Sequence, residues 1–347
     1  MKKMMMGLAG ALSLLTPAPS AQAAESLQTF ELDEIVVVAH RDNTDTAETS
    51  VNVKELIDAG QIKTAADILA NVPGVVVTKG QNNGIQVGLR GLNHERTVIA
   101  INGNVVQDVG EIGMGGRAME WDALPVTGIK KIELIRGTSA RYGGAVGGVI
   151  NIVTDDASVP GTKTTLRQSV GSWHTYKTTV IHQGATDDQR FSWNINASWA
   201  KSGGYYRNNE SNGHDFHFDT TYKLNEQDRL NLSYSHIYKK EGIIVGNNKN
   251  GSPASRYLGY DSSYPVTPNA PQNWVDGYRQ WKTDNIALNY TTPTASVGIF
   301  NYRQGRREYV NRVVMAMGKP RPLGMKEYWN SDIQNYGIDW RQTSRAG

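Results

Sequence analysis

The chain has 347 residues, 20% charged and 39% hydrophobic, with 36 glycines and no cysteine; the length suits about two domains, and disulfide scaffolds, Cys zinc sites and thiol nucleophiles are excluded. Its 36 Lys and Arg against 33 Asp and Glu give a net charge of +3, too even to argue for nucleic acid as a partner. Mean hydropathy is −0.47 and no apolar run approaches ~18 residues, which excludes transmembrane helices but not a transmembrane barrel, whose strands are apolar on one face only.

Lys2 and Lys3 precede an apolar or small run from Met4 to Leu15. Thr16-Pro17-Ala18-Pro19 then breaks any helix, and Ala21-Gln22-Ala23 supplies a small-x-small cleavage pattern. The three parts read as a secretory signal over 1–23, with a mature chain from Ala24 outside the cytoplasm. Residues 24–46 form a polar arm with one apolar island, Asp33-Glu34-Ile35-Val36-Val37-Val38-Ala39. Its β-branched run favours an extended chain but is too short for a core. Such a segment is either a peptide that adds to a partner's sheet edge or the first strand of the next domain.

A compact α+β domain is expected over 47–154. Lys54–Ile57 and Thr64–Ala70 read as short helices, the second stopped by Pro73-Gly74. Strands are expected at Val75–Val77, Ile85–Leu89, Thr97–Ile101, Val105-Val106, Ile129–Ile135 and Val149–Val153, with Asn102-Gly103 as a hairpin turn. Two glycine-rich stretches, about 79–84 and 107–121, lack periodicity and read as contact loops. Neither has the spacing of a phosphate loop, and Gly143-Gly144 with Gly147-Gly148 reads as close packing.

Four motifs then carry a resemblance. DEIVVVA (33–39), DILANVPGVVV (67–77), LRGLNHERTVIAINGNVV (89–106) and IKKIELIRGTSARYGGAVGGVINIVT (129–154) occur in the order found in TonB-dependent outer-membrane receptors, which this chain resembles. The resemblance implies an α+β plug domain followed by an antiparallel transmembrane β-barrel of 22 strands. It implies a TonB box at Asp33, Glu34, Ile35, Val36, Val37, Val38 and Ala39, pulled by the TonB C-terminal domain with its ExbB/ExbD energy-transducing complex. Arg90 and Arg136 match the family's motifs as a plug–barrel latch, and the plug loops supply candidate ligand contacts at Gln81, Asn82, Asn83, Arg117 and Trp121.

The period-2 pattern beyond 155 stands without the resemblance. From Phe191 to Trp199 every odd residue is apolar and every even one polar, as lipid-facing strands require; a soluble sandwich alternates too. Strands are expected near 162–171, 174–184, 190–201, 214–224, 229–240, 281–290, 295–304 and 331–342. Four-residue links alternate with long ones at 202–213, 241–280 and 305–330, which suits a barrel with periplasmic turns and outer loops. Eight strands cannot enclose the plug. About fourteen are wanting against the family's 22, so the chain is expected to be a fragment or a truncated product, unable to transport alone.

Arg256, Tyr257 and Tyr260, with Tyr264, Trp274 and Tyr278, suit stacking and hydrogen bonding to a large anionic chelate; membrane-interface packing is the plainer account. Met315, Met317 and Met325 read as packing rather than soft metal ligands, and His214 and His217 face opposite sides of a strand. No metal site, cofactor fingerprint or catalytic constellation is found. The expectation is a TonB-dependent outer-membrane receptor for a scarce metal chelate, a ferric siderophore first and cobalamin or heme behind it. Its partners would be TonB, outer-membrane lipid and the chelate, with no nucleic acid. The competing class is a passive porin or adhesin barrel.

Overall fold

A computed structural model describes residues 48–52, 65–70, 72, 74–79, 85–89, 91–92, 97–105, 129–135, 142, 147–154, 160–249, 253–267 and 273–342. The expected leader, the 33–39 box and the helix at 54–57 lie outside the described residues.

The first part contains β1 (Glu48–Asn52), α1 (Ala65–Ala70), β2 (Val75–Lys79), β3 (Ile85–Leu89), β4 (Thr97–Ile101), β5 (Asn104–Val105), β6 (Ile129–Ile135) and β7 (Gly148–Thr154). Five strands form one sheet in the order β1-β6-β7-β4-β5, and β2 pairs with β3 as a separate hairpin. Among the described strands only β4 and β7 pair in parallel. Both read as nearly continuous β-branched runs, the composition of strands covered on both faces. On one face Ile99, Ile101, Ile132, Leu134, Ile150 and Ile152 pack with Ile68 and Leu69 of α1 and Val87 and Leu89 of β3. On the other, Ala100, Ile135 and Val149 pack with Tyr142. Each such aliphatic side chain contributes roughly 1.5–3 kcal/mol on leaving water. β1 was not among the expected strands of this domain; it pairs antiparallel with β6 from Glu48↔Ile135 to Asn52↔Lys131. An edge strand pairs through its backbone and needs no apolar periodicity.

The second part is an eight-stranded antiparallel meander: β8 (Gly161–Gly171), β9 (Thr175–Ala185), β10 (Phe191–Ser202), β11 (Ser211–Lys223), β12 (Arg229–Gly242), β13 (Trp274–Thr291), β14 (Ala295–Ala316) and β15 (Lys319–Gln342). A short helix, α2 (Pro253–Leu258), lies between β12 and β13. The expected outer loop 305–330 is overturned. β14 and β15 run on as one long hairpin with Val313↔Pro322 to Ala316↔Lys319 in register, closed at Met317-Gly318, both with positive φ. Charges at 306–308 hid the strand because both its faces are polar there.

One face of the meander is apolar and the other polar. Trp199, Phe216, Tyr222, Leu232, Ile286, Leu288, Ile299, Ile338 and Trp340 are exposed, whereas Asn194, Asn196, Ser198, His217, Asp219, Ser233, Ser235 and Asn285 are buried. The apolar band crosses the register rows obliquely. Leu166 of β8 shares a row, through Val180, Ala197, Phe216, His236, Asp284 and Arg303, with the polar Gln334 of β15. On β15 the apolar outward residues are instead Tyr336, Ile338 and Trp340. Strands that tilt within a barrel wall produce this stagger.

Candidate functional site

The polar face of the meander holds the α+β domain at two described places. Tyr302 of β14, 1% exposed, is a member of the domain's own apolar core, which also holds Ile101 and Ile152. At the second, the β4–β5 hairpin presents its turn to β15. Asn102 (φ 51) and Gly103 (φ 82) are both left-handed, as a type I′ turn demands. The Asn102 amide donates to the Ile152 carbonyl at 2.8 Å, and the Gly103 amide donates to Asn151 Oδ1 at 2.9 Å. Asn151 Nδ2 donates to Glu133 Oε2 at 2.8 Å, and Lys131 pairs with Glu133 at 2.6 Å. The Gly103 carbonyl, fixed by these contacts, accepts a hydrogen bond from Arg341 Nη2 at 2.7 Å. Asp339 pairs with the same guanidinium, which also lies 5.7 Å from the Tyr142 ring centroid. A cavity of about 350 Å³ adjoins this contact, lined by Lys130, Lys131 and Glu133 from one side and Asp219, Arg229 and Asp339 from the other.

Further along the same wall, β12–β15 carry a second polar cluster. Arg279 Nε and Arg306 Nη2 each donate to Glu308 Oε2 at 3.0 Å, with Arg279 and Glu308 almost fully buried. Lys239 pairs with Glu241 at 3.2 Å and sits 5.6 Å from the ring of Trp281. Arg312 pairs with Glu327 at 2.8 Å and lies between the indoles of Trp274 and Trp329, 5.8 and 5.7 Å from their centroids. A cation held against aromatic faces with a carboxylate alongside is pre-ordered for polar contact.

The β12–β13 connection is organised by one fully buried side chain. Asn247 Nδ2 donates to the carbonyls of Asp261 (2.9 Å), Tyr264 (3.0 Å) and Pro265 (3.2 Å). Its Oδ1 accepts from the Asp261 amide at 3.0 Å, and its own amide donates to Thr267 Oγ1 at 2.7 Å. Arg207 covers the end of α2, donating to the Gly259 and Leu258 carbonyls at 2.7 and 3.4 Å, the contact expected of a cation at a helix C-terminus. The hydroxyl of Ser263, then its amide, holds the Asp261 carboxyl below the usual carboxylate range.

Of the expected ligand contacts, Arg256, Tyr257 and Tyr260 follow one another along one short stretch of chain. All three are exposed on α2 and its exit, while Ala254 is buried against Val275 and Val313 with Leu258. Trp274 and Tyr278 separate from this group. Trp274 packs with Ile243 and Val310, whereas Tyr278 joins Tyr309 and Tyr328 in a cross-strand aromatic row. His217 is buried on the polar face and His214 stacks on His236 on the other. Met317 is 95% exposed at its turn. Gln81, Asn82, Asn83, Arg90, Arg117, Trp121 and Arg136 lie outside the described residues. Arg341, Tyr302, Asn151 and Asn247 were missed. Their positions within strands were readable, but their partners come from distant parts of the chain.

The comparisons agree with this architecture. Residues 41–149 match the family model of the TonB-dependent receptor plug domain. Over those residues the chain carries a TonB-dependent receptor plug domain. It is 41% identical over 111 residues to a vitamin B12 transporter BtuB of Photobacterium profundum, covering 31% of this chain and 18% of that protein. It is 32% identical over 177 residues to the ferrienterobactin receptor of Escherichia coli K12, covering 46% and 22%. The chain thus spans about a fifth of the length of these curated relatives. Among solved structures it resembles BauA, the ferric preacinetobactin receptor of Acinetobacter baumannii, at a TM-score of 0.59 and 13% identity over 88% of this chain and 45% of that one. The ferric yersiniabactin receptor FyuA of Yersinia pestis gives 0.57 and 17% over 87% and 46%. At these identities the structural likeness speaks for the fold: plug domain and part of a barrel wall. The relatives are transport receptors, not enzymes.

Proposed function

We propose that this chain is the plug and part of the barrel of an energy-coupled outer-membrane receptor that captures a ferric siderophore and releases it to the periplasm. The reading rests on one observation: the plug core takes in a wall side chain, Tyr302, so the plug is seated inside the barrel wall as a cork. A passive pore has no use for such a seat. Residues 33–39 would add as a strand to the TonB C-terminal domain, with ExbB/ExbD supplying the energy, and main-chain hydrogen bonds would carry that contact. Arg256, Tyr257 and Tyr260, on a loop pinned by Asn247, would meet the chelate at the outer mouth. Arg90 and Arg136 would latch the plug to wall carboxylates, and Gln81, Asn82, Asn83, Arg117 and Trp121 would touch the ligand from below.

A second ligand, cobalamin, is favoured by the BtuB relative, although that match covers only 111 residues. The test is uptake of radiolabelled ferric siderophore and of labelled cyanocobalamin by cells carrying the complete gene, with and without residues 33–39. The expected result is siderophore uptake that vanishes on deletion while surface binding persists. Uptake indifferent to the deletion would establish the passive pore instead, and cobalamin uptake alone would replace the ligand.

A further inference from the structure

Two connections of the wall are tied together at the end opposite the short turns. The β10–β11 connection, 203–210, carries none of the expected ligand contacts, yet it holds the β12–β13 connection, which carries three. Asn208 is left-handed at φ 57, and its Nδ2 donates to the carbonyls of Ile243 at 2.8 Å and Gly277 at 2.9 Å. The Gly242 amide donates to the Glu210 carbonyl at 2.8 Å, and the Val245 amide to the Arg207 carbonyl at 3.3 Å. Gly242 lets the two backbones approach, since a Cβ there would stand 2.5 Å from the Asn208 carbonyl oxygen, closer than a side chain tolerates.

Arg207 reaches past this seam to the end of α2. Its Nη1 donates to the Gly259 carbonyl at 2.7 Å and its Nη2 to the Leu258 carbonyl at 3.4 Å, and its charge favours the Asp261 carboxylate. The helix stops there because Gly259 is left-handed at φ 74, with its amide donating to the Ser255 carbonyl at 2.9 Å, a cap suited to glycine. The pins fall on either side of Tyr260. Gly259 is held by Arg207, and Asp261 by Asn247 through both its amide and its carbonyl. With the backbone fixed around them, Tyr260 stays 41% exposed and Tyr257 46% exposed, and Lys249 lies 5.2 Å from the Tyr260 ring centroid. Free aromatic side chains on a fixed backbone lose little conformational freedom on binding.

We infer that Arg207 and Asn208 are positioning residues for chelate capture: the β10–β11 connection sets the pose of Arg256, Tyr257 and Tyr260, and so their affinity for the chelate, without touching it. Asn247 holds the capture loop from within, whereas Arg207 and Asn208 hold it from a different connection, so capture depends on the two connections standing as one body. The inference rests on the reading of Arg256, Tyr257 and Tyr260 as the capture surface.

The test uses the complete receptor, with radiolabelled ferric enterobactin and labelled cyanocobalamin as probes. A nitroxide on Ser262→Cys, an exposed position in a chain without cysteine, reports motion of the capture loop. Arg207→Gln and Asn208→Gly are compared with the unaltered protein; the second keeps the left-handed backbone without strain. Each should free the label and weaken binding of whichever probe the unaltered receptor takes by about tenfold, the scale of one charge-assisted or two neutral hydrogen bonds. In cells, uptake should keep its maximal rate while the half-saturating concentration rises by the same factor. Arg207→Lys retains a cation at the helix end and should recover most of the affinity. Tyr205→Ala, on the same connection with its ring against Trp173 and Tyr206, should change neither readout. Weakened binding with an unmoved label would make Arg207 a ligand contact and overturn the positioning role, as would an equal loss in Tyr205→Ala. A freed label with unchanged affinity would overturn the link between pose and capture. Binding of neither probe by the unaltered receptor would overturn the capture reading itself, whatever the label does.

Discussion

Replacing Tyr302 with alanine tests whether the plug is held by the wall. The side chain is 1% exposed and packed in the plug core, so its removal leaves an aromatic-sized hole; such truncations cost about 3–5 kcal/mol. Because a strand of the barrel supplies the ring, the loss should fall on seating of the plug and not on the barrel ladder. About 3 kcal/mol corresponds to a roughly hundredfold larger open population, and amide exchange reads that population directly. The expected result is exchange about a hundredfold faster in β4, β6 and β7, with β8–β10 unchanged. Tyr302→Phe keeps the ring and should recover most of the protection. Tyr336→Ala, on the outward face at the register position opposite Asn301, should leave the plug alone. If Tyr302→Ala leaves exchange in the three plug strands within a factor of three, the ring does not seat the plug and the reasoning fails.

Gly103→Ala forces a side chain into φ 82 and brings its Cβ to 3.0 Å from Arg341 Nη1. The backbone strain of about 1–2 kcal/mol should speed exchange at the β4–β5 hairpin about tenfold, and unaltered protection there would count against the turn geometry. Asn247→Ala removes the donor to three loop carbonyls; at about 1–3 kcal/mol per orphaned buried group, proteolysis within 249–273 should accelerate sharply while the melting temperature of the barrel holds. The Asp188 carboxyl is held below its ordinary value of 3.8 chiefly by the Thr186 hydroxyl, then by the Arg190 amide. The linkage runs with the sign of a depressed acid: its contribution is complete above pH 3.8 and is lost as pH falls through the lower folded value. Exchange at the β9–β10 turn should therefore rise only below pH 3.8, and Asp188→Asn should remove that pH dependence.

Much of this architecture was legible because period-2 alternation is a local signal. Phe191–Trp199 shows its two faces within nine residues, and β10 lies where the pattern places it. The Asn102-Gly103 turn was equally readable, since few residue pairs tolerate two left-handed positions. The upper half of β14 was not. Glu308 is paired with Arg279 and Arg306 on the inner face, so a charge-rich strand looked like a loop until its partners were in place. β1 escaped for a related reason: the edge pairing that makes it a strand is supplied by β6, about eighty residues away. In the candidate site, residue types were foreseeable and contacts were not. Arg341 and Gly103 are separated by 238 positions, and nothing within either segment specifies the other.

The same topology says which element a pull on the N-terminal arm would reach first. β1 is the first described strand after residues 33–39 and lies at the edge of the plug sheet, bonded among the described strands to β6 alone. Tension from the arm would enter at Glu48 and peel the five-residue ladder toward Asn52. Bonds peeled in sequence resist one at a time, each worth about 1 kcal/mol net, so β1 would leave before the parallel β4–β7 core is disturbed. A clamp across this ladder tests the order of events, and the absence of cysteine makes the background clean. Asn52 and Lys131 are directly opposed, so Asn52→Cys with Lys131→Cys brings two thiols within disulfide reach. In the complete receptor the oxidised pair should block energy-coupled uptake while ligand binding at the surface is retained. Reduction, or either single substitution, should restore uptake. Transport at the unaltered rate with the disulfide intact would mean that β1 stays in place during the cycle and that the plug moves with its sheet whole.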